Sequence, residues 1–571
     1  MAAAPTDHER PWVTHYPPGI EWDVPIDTTP MHEQVLRACA ATPDADALDF
    51  LGKKTRFRDL ARQINAFAGA LQQKLGVKKG TRVALLLPNT PFYVVAYYAI
   101  LKIGGTVVNC NPLYTAGELR HIVGNAGAEL MVTLDLKQIF DKAEKLVAEG
   151  HVKRLVVCNF PEALPGPKKL LYKIAKSADL AKVSASPIAD QVSDFDELVG
   201  LKLEAEPVAI DADRDCAVQQ YTGGTTGIPK GAMLSHANIA AQVSQINYWG
   251  LHVFHPPSRV IAVLPFFHIF AMTTCMNLPL AGGVQVIMLP RFELRALLDT
   301  LTRTGANVLL AVPTLIQALA KHGDKAAPHL QSLEVAVSGG APLSDEVRAN
   351  WGKVSTALLA EGYGLTEASP VVCCAALLVP SKPLSIGQPI PATDIRFVDV
   401  ETGNVVPLGE RGELQVKGPQ VMLGYYNDPE ATENAFTDGW LRTGDVGYLD
   451  EDGYVFLVDR IKDLIICSGF NVYPRVIEEA LMHHPAVEET NVIGVPDEYR
   501  GEAPVAYVKL KQGQGVTESQ LKDFLGEHLN KIEMPKEIIF KDELPKTLIG
   551  KLSKKELRDD YKARRTSNEP A

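Results

Sequence analysis

The chain predicts an α/β fold: a large N-terminal domain of stacked α/β sheets with a β-rich subdomain, then a small C-terminal α+β domain. Three features of the sequence carry this. Short apolar runs of strand length alternate with helical stretches up to about Ile386. From there the texture changes to short β segments separated by turns. After D-R-I-K-D at 459–463 a last, mixed unit begins, which sets the domain limits at 1–457, 458–463 and 464–571.

Residues 1–30 are rich in proline and polar groups and are expected to wrap the surface. Leu60, Ile64, Phe67 and Leu71 then recur at helical spacing and share one face. T-R-V-A-L-L-L-P, ending at Pro88, reads as a strand, followed by a helix through Tyr97 and Tyr98 and a strand near Val107 and Val108. L-M-V-T-L, L-V-V-C-N, N-V-L-L-A-V-P and L-E-V-A-V-S-G-G continue the alternation, and such nearly continuous apolar strands belong in buried sheets. The most apolar stretch, 260–289, is broken by Pro265, His268, Pro279, Gly282 and Gly283, so it reads as strand, loop, helix and strand rather than as a membrane span. I-R-F-V-D-V, E-L-Q-V-K-G and Y-V-F-L-V-D form the β-rich part. The last unit has a helix opening at Pro474, strands N-V-I-G-V and P-V-A-Y-V-K-L, and a helix with a capping box from Thr517 to Gln520 that buries Leu521, Leu525 and Leu529.

At 571 residues with 46% hydrophobic and 22% charged residues, the chain has the composition of a water-soluble globular protein. Its net charge of −11 argues against nucleic acid as a partner, so any anionic ligand must be held by local donors. Eight scattered cysteines without a C-x-x-C fit buried free thiols in a reducing cytoplasm. M-A-A-A-P-T-D-H-E-R has no long apolar core, so no secretory leader is expected and the cytoplasm is the expected location.

One segment stands out chemically. Y-T-G-G-T-T-G-I-P-K-G at 221–231 gathers four glycines, three threonines and a lysine. Glycine permits the turns that aim backbone N–H groups at one point, which suits a polyphosphate. The segment follows a strand, D-C-A-V-Q-Q-Y, and leads towards a helix that Ser235 would cap, so it is expected to join two rigid elements. It lacks the G-K-[ST] of a Walker A loop. Taken alone, a phosphate cradle and an ordinary hairpin turn both fit it.

Further segments decide between them. P-F-F-H-I-F at 265–270, S-G-G-A-P-L at 338–343, E-G-Y-G-L-T-E at 361–367, W-L-R-T-G-D at 440–445, V-D-R-I-K-D-L-I with S-G-F-N-V-Y-P through Pro474, and L-P-K-T-L-I-G-K ending at Lys551 follow in order. Together they resemble the adenylate-forming (acyl-CoA synthetase) superfamily over roughly residues 30–560. The resemblance implies two steps: a carboxylate and ATP give an acyl adenylate and pyrophosphate, and the thiol of coenzyme A then displaces AMP.

It also implies roles. Thr222, Gly223, Gly224, Thr225, Thr226, Gly227 and Lys230 would hold the leaving phosphates, and Glu367 would bind Mg²⁺, a hard cation suited to carboxylate and phosphate oxygens. Tyr363 would stack on adenine opposite Gly339, Gly340 and Ala341, with Gly364 and Thr366 in the same nucleotide loop. Asp445 and Arg460 would meet the ribose. Lys551, His268, Thr366 and Glu367 are the expected catalytic residues, Lys551 on the carboxylate and α-phosphate, His268 as a gate beside them. Family members rotate the small domain between steps, which makes Asp459 and Lys462 hinge candidates and places Ser468, Gly469 and Phe470 on the coenzyme A path.

The text at 416–426, 438–454 and 459–474 is similar to that of bacterial long-chain fatty acid–CoA ligases. Fatty acid, ATP and coenzyme A are the implied partners, with an acyl tunnel drawn from 246–249 and 260–289. Other superfamily activities stay open: an acyl-AMP ligase, or a ligase for aromatic or other carboxylic acids. Segment 168–182, K-K-L-L-Y-K-I-A-K-S-A-D-L-A-K, has two readings, a solvated surface helix or a basic amphipathic helix resting on an anionic membrane. A homodimer is also left open.

Overall fold

A computed structural model of the chain describes residues 10–222, 229–377, 379, 382–468, 470–497, 499–546 and 552–566. Among these residues the strands form sheets of nine, eight, five and five strands. In the nine-stranded sheet, Leu358–Gly364, Val335–Gly339, Val308–Ala311, Arg259–Ala262, Gln285–Met288 and Asp46–Phe50 run parallel. Antiparallel strands close both of its edges. The eight-stranded sheet has a parallel core through Cys216–Thr222, Thr106–Asn109, Arg82–Leu86, Leu130–Leu134 and Arg154–Cys158.

Both sheets are buried as their apolar runs require. One large core reaches across the two sheets and takes in the helices Phe57–Gln73 and Pro91–Lys102; Leu60, Ile64, Phe67 and Leu71 all point into it. A second core lies under Leu294–Thr304, Pro313–Lys321 and Asp345–Val354. The β-rich subdomain pairs Asp394–Val398, Gly412–Lys417, Trp440–Leu449 and Val455–Arg460 in antiparallel order. The fourth sheet, Ile465–Cys467, Phe470–Val472, Val487–Asp497, Gly501–Leu510 and Glu537–Phe540, has two cores of its own and forms the small C-terminal domain.

Three expectations need correction. Segment 221–231 does not lead from a strand into a helix: Lys230–Ser235 is itself a strand, paired antiparallel with Cys216–Thr222, so both ends of the segment belong to one strand pair. Ser235 does cap the next helix, His236–Gly250, through a capping box with Asn238. The helix capped by Thr517 ends at Leu525, which leaves Leu529 beyond it though still packed on the core. The basic segment is helical only over Gly166–Ala175, with a 3₁₀ turn at Ser177–Asp179 after it. From Arg10 onward the N-terminal stretch is pinned to the protein: Trp12 is buried and Arg10 pairs with Asp394 at 2.6 Å, while residues 1–9 lie outside the described residues. All eight cysteines are free thiols, seven of them buried.

Candidate active site

A cavity of about 900 Å³ opens where the parallel strands end, beside Asn109, Gly339 and Gly364. Ligands in open α/β sheets bind outside the carboxyl ends of the strands, where loops can converge. Among the expected site residues, Thr222, His268, Gly339, Gly340, Tyr363, Gly364, Thr366, Glu367, Asp445, Arg460 and Lys462 line it. Lys230, Ala341, Asp459, Ser468 and Phe470 lie outside that lining. Gly223, Gly224, Thr225, Thr226, Gly227, Gly469 and Lys551 fall outside the described residues. Leu552, next in sequence to Lys551, does line the cavity, so the C-terminal segment reaches it.

Asp445 is placed by sheet register. It sits directly across from Arg460 in the paired strands, and Arg460 Nε donates to its Oδ1 at 3.0 Å. The Tyr363 hydroxyl donates to the other oxygen. Burial, with the Asp445 carboxylate alongside, pushes the Tyr363 pKa up and keeps that hydroxyl protonated as a donor. The same carboxylate raises Arg460 further, so the guanidinium stays charged. Glu413, which the sequence reading missed, holds this turn from below by accepting from Arg442 Nε at 3.0 Å and the Gly444 N–H at 3.2 Å.

Close approach explains one of the glycines and backbone conformation another. A Cβ on Gly364 would fall 2.0 Å from the Pro370 carbonyl oxygen, and Gly340 sits at φ +83°, where side chains are strained. Glu361 braces this wall: it is buried, accepts from the Leu343 N–H at 3.2 Å and faces Arg348. Burial pushes its pKa up to about 7.

Glu367 lies in the turn Thr366–Ala368, and its Oε1 accepts from the Tyr425 hydroxyl at 2.7 Å. Its Oε2 has no protein donor among the described residues. The Tyr425 ring also lies under Lys230, 5.4 Å from its Nζ, while Asp428 stands 3.9 Å from the same nitrogen. Tyr425 is therefore a bridge between the glycine-rich hairpin and Glu367. A carboxylate oxygen beside a threonine hydroxyl, with phosphates held nearby, is a donor set that suits Mg²⁺.

The segment carrying His268 is tied down by amides. Asn89 donates to the Leu264 carbonyl at 2.8 Å and accepts from the Phe266 N–H at 2.7 Å. Tyr93 donates to Asn109 at 2.7 Å and to the Phe266 carbonyl at 2.9 Å. Asn109 then reaches Gln220 at 2.8 Å, and Gln220 donates to the Phe267 carbonyl at 2.8 Å. His268 Nδ1 accepts from the Phe270 N–H at 3.3 Å. None of these amides was singled out from the sequence, although an asparagine in T-V-V-N and glutamines in A-V-Q-Q are conspicuous in buried strands.

Several further lining residues are apolar. Ile246, Trp249, Phe254, Leu377 and Ile390 form one group, with Gly250 packed against both Phe254 and Leu377. Trp249 is fixed by its indole N–H to the Ala375 carbonyl at 3.1 Å and by Tyr16 edge-on at 5.3 Å. Of the stretch 260–289, only Phe267, His268, Ile269, Phe270 and Thr274 reach the cavity; most of the remainder is core. Cys374 also lines it, with its pKa pushed up to about 12 by burial, as a packing thiol rather than a nucleophile.

The comparisons agree with this geometry. Residues 35–426 match the family model described as AMP-binding enzyme, and 476–551 match that of the AMP-binding enzyme C-terminal domain. The long-chain-fatty-acid–CoA ligase of Bacillus subtilis is 38% identical over 97% of this chain and 98% of its own length. A 4-coumarate–CoA ligase of Oryza sativa subsp. japonica is 31% identical over 93% of this chain and 94% of its own length. Among solved structures, ATP-bound MatB from Rhodopseudomonas palustris superposes with a TM-score of 0.81 at 30% identity, covering 93% of this chain and 99% of that one. The o-succinylbenzoate coenzyme A synthetase of Bacillus subtilis, in complex with ATP and magnesium ion, gives 0.75 at 27% identity, covering 92% of this chain and 99% of that one. The chain belongs to the AMP-binding enzyme family, as an adenylate-forming acyl-CoA ligase.

Proposed function

We propose that the chain is a long-chain fatty acid–CoA ligase that uses ATP, Mg²⁺ and coenzyme A. The observation that carries this reading is one continuous cavity. It has Tyr363, Asp445, Arg460 and Glu367 in one part of its lining and the Ile246, Trp249, Phe254, Leu377 and Ile390 group in another. Burying each methylene contributes about 0.8 kcal/mol, so an apolar wall of this kind favours an acyl chain over a small acid. The relatives named for long-chain fatty acids support the same choice.

In the first step a carboxylate oxygen attacks the α-phosphorus of ATP, the bond from that phosphorus to the bridging oxygen breaks, and pyrophosphate leaves. Tyr363 against Gly339 and Gly340, which Ala341 follows in sequence, holds the adenine, with Gly364 and Thr366 in the same loop. Asp445 and Arg460 hold the ribose, and the 222–230 hairpin with Lys230 grips the departing phosphates. Mg²⁺, when bound at Glu367, supplies charge neutralisation for the phosphate oxygens. Lys551 reaches the carboxylate and α-phosphate, where a preorganised cation stabilises charge that develops in the transition state.

In the second step the coenzyme A thiol gives up its proton, its sulfur attacks the acyl carbonyl, and the bond to AMP breaks. Ser468, Gly469 and Phe470 line the approach of coenzyme A in that state. The division is 1–457, a hinge at 458–463 around Asp459 and Lys462, and a small domain at 464–571. His268 gates the passage between the acyl and nucleotide parts. Buried free thiols support work in a reducing interior.

Pyrophosphate release measured over acids of graded chain length, with and without coenzyme A, tests the reading. Release is expected to rise into the long-chain range and to turn over only with coenzyme A. Best turnover with aromatic acids, or an acyl adenylate that coenzyme A does not consume, would contradict it.

A further inference from the structure

The helix Gly166–Ala175 buries none of its residues. Leu170, Leu171 and Ile174 are 63%, 65% and 70% exposed, among the most exposed large apolar side chains of the described chain. At helical spacing they share one face with Pro167, and Lys168 and Lys173 stand at its two borders. The opposite face is the one that holds the helix to the protein. There the Tyr172 ring meets Phe160 edge-on at 5.2 Å, and Lys169 and Lys173 both pair with Glu162. Lys168 reaches back to the Leu51 carbonyl at 2.8 Å. The apolar face is therefore held outward by contacts on the other side of the helix.

Charge says what would cover it. Segment 166–182 has five lysines and one aspartate, and with the Glu162 that Lys169 and Lys173 share the local balance is still +3 on a chain whose net charge is −11. An apolar stripe bordered by lysines is the arrangement of a helix that lies in a membrane interface, with aliphatic side chains below the headgroups and ammonium groups among them. Each basic residue near an anionic leaflet adds attraction that fades within a Debye length. Among the described residues no helix is long and apolar enough to cross a membrane, so contact of this kind would lie on the surface.

We propose that the outward face of Gly166–Ala175 docks the protein on an anionic lipid bilayer, the phase into which a long-chain acid partitions. The motive for visiting a membrane rests on the fatty acid reading, whereas the docking surface stands on exposure and charge alone. Flotation of the full chain with phosphatidylcholine vesicles, and with vesicles that also contain phosphatidylglycerol, is the test. The protein is expected to float with the anionic vesicles and to be released by salt. The combined variant Leu170→Ser, Leu171→Ser, Ile174→Ser should lower partitioning about tenfold or more. Because those side chains are exposed, its thermal midpoint and its adenylation of a soluble short-chain acid should match the parent.

Equal flotation of parent and variant, or no flotation of the parent, overturns the proposal. So does light scattering that finds a parent dimer which the variant dissolves, since the face then serves a second copy. Loss of adenylation in parent and variant alike would instead sink the ligase reading and leave the docking result standing.

Discussion

Tyr425 connects Glu367 with Lys230: its hydroxyl donates to Glu367 Oε1 and its ring lies under the lysine. Burial and the adjacent carboxylate push its pKa up, so it remains a donor that holds Glu367 by Oε1. A hydrogen bond to a charged acceptor contributes about 1.5–3 kcal/mol, so Tyr425→Phe should weaken Mn²⁺–ATP binding about tenfold, read by electron paramagnetic resonance without turnover. The ring that remains should keep Lys230 in place and leave ATP binding without metal near the parent value. Unchanged Mn²⁺ affinity would mean that Tyr425 does not position Glu367. Nothing local in the sequence marks this residue, because it reaches the site through the pairing of Gly424–Tyr425 with Lys230–Ser235.

At the scale of elements, two helices meet through a pair of buried histidines. His32 of Met31–Ala41 and His236, the first residue of His236–Gly250, pack edge-on with ring centroids 6.3 Å apart. Glu33, Lys102, Asp215 and Lys79 are the charged groups around them. Burial lowers His32 to about 3, helped by His236 and Lys102, and lowers His236 to about 4 against the pull of Asp215. Since both folded values lie below that of a free imidazole, their stabilising contribution is complete above about pH 6.5 and lost as pH falls through the folded values. At pH 5 the loss is about 2 kcal/mol for each histidine. Denaturant unfolding at pH 7 and pH 5 should therefore give a steeper fall for the parent than for His236→Asn, and equal slopes would count against the pair. Neither histidine advertises this in sequence. The helices around Leu60 and Tyr97 and the apolar strands were legible, because periodicity and burial point the same way. Lys230–Ser235 was not, since K-G-A-M-L-S has neither alternation nor β-branched residues and becomes a strand only by pairing with Cys216–Thr222. The amides Asn89, Asn109 and Gln220 escaped for a similar reason, as their worth lies in contacts far apart in sequence.

At the scale of the whole molecule, the small domain rests on the large one through charges rather than a shared core. Lys511 meets Glu346 at 2.9 Å, Lys321 pairs with Glu488, and the Arg475 N–H donates to Asp459 at 2.8 Å. Exposed ion pairs contribute little each, about 0–1 kcal/mol, which would suit the proposed rotation of this domain between the two steps. Leu552 lines the same cavity as Tyr221 and Thr222, so the far end of the chain contributes to its wall. The order of motifs made that arrangement legible in sequence, whereas the ion pairs that hold it depend on how the domains meet. The central claim is that this closed position serves adenylate formation alone. Assaying Lys551→Ala separately in each half-reaction tests it most directly. Adenylation should fall about 10²–10³-fold, while transfer from a supplied acyl adenylate to coenzyme A stays near the parent rate; equal loss in both steps, or none in the first, would contradict the account.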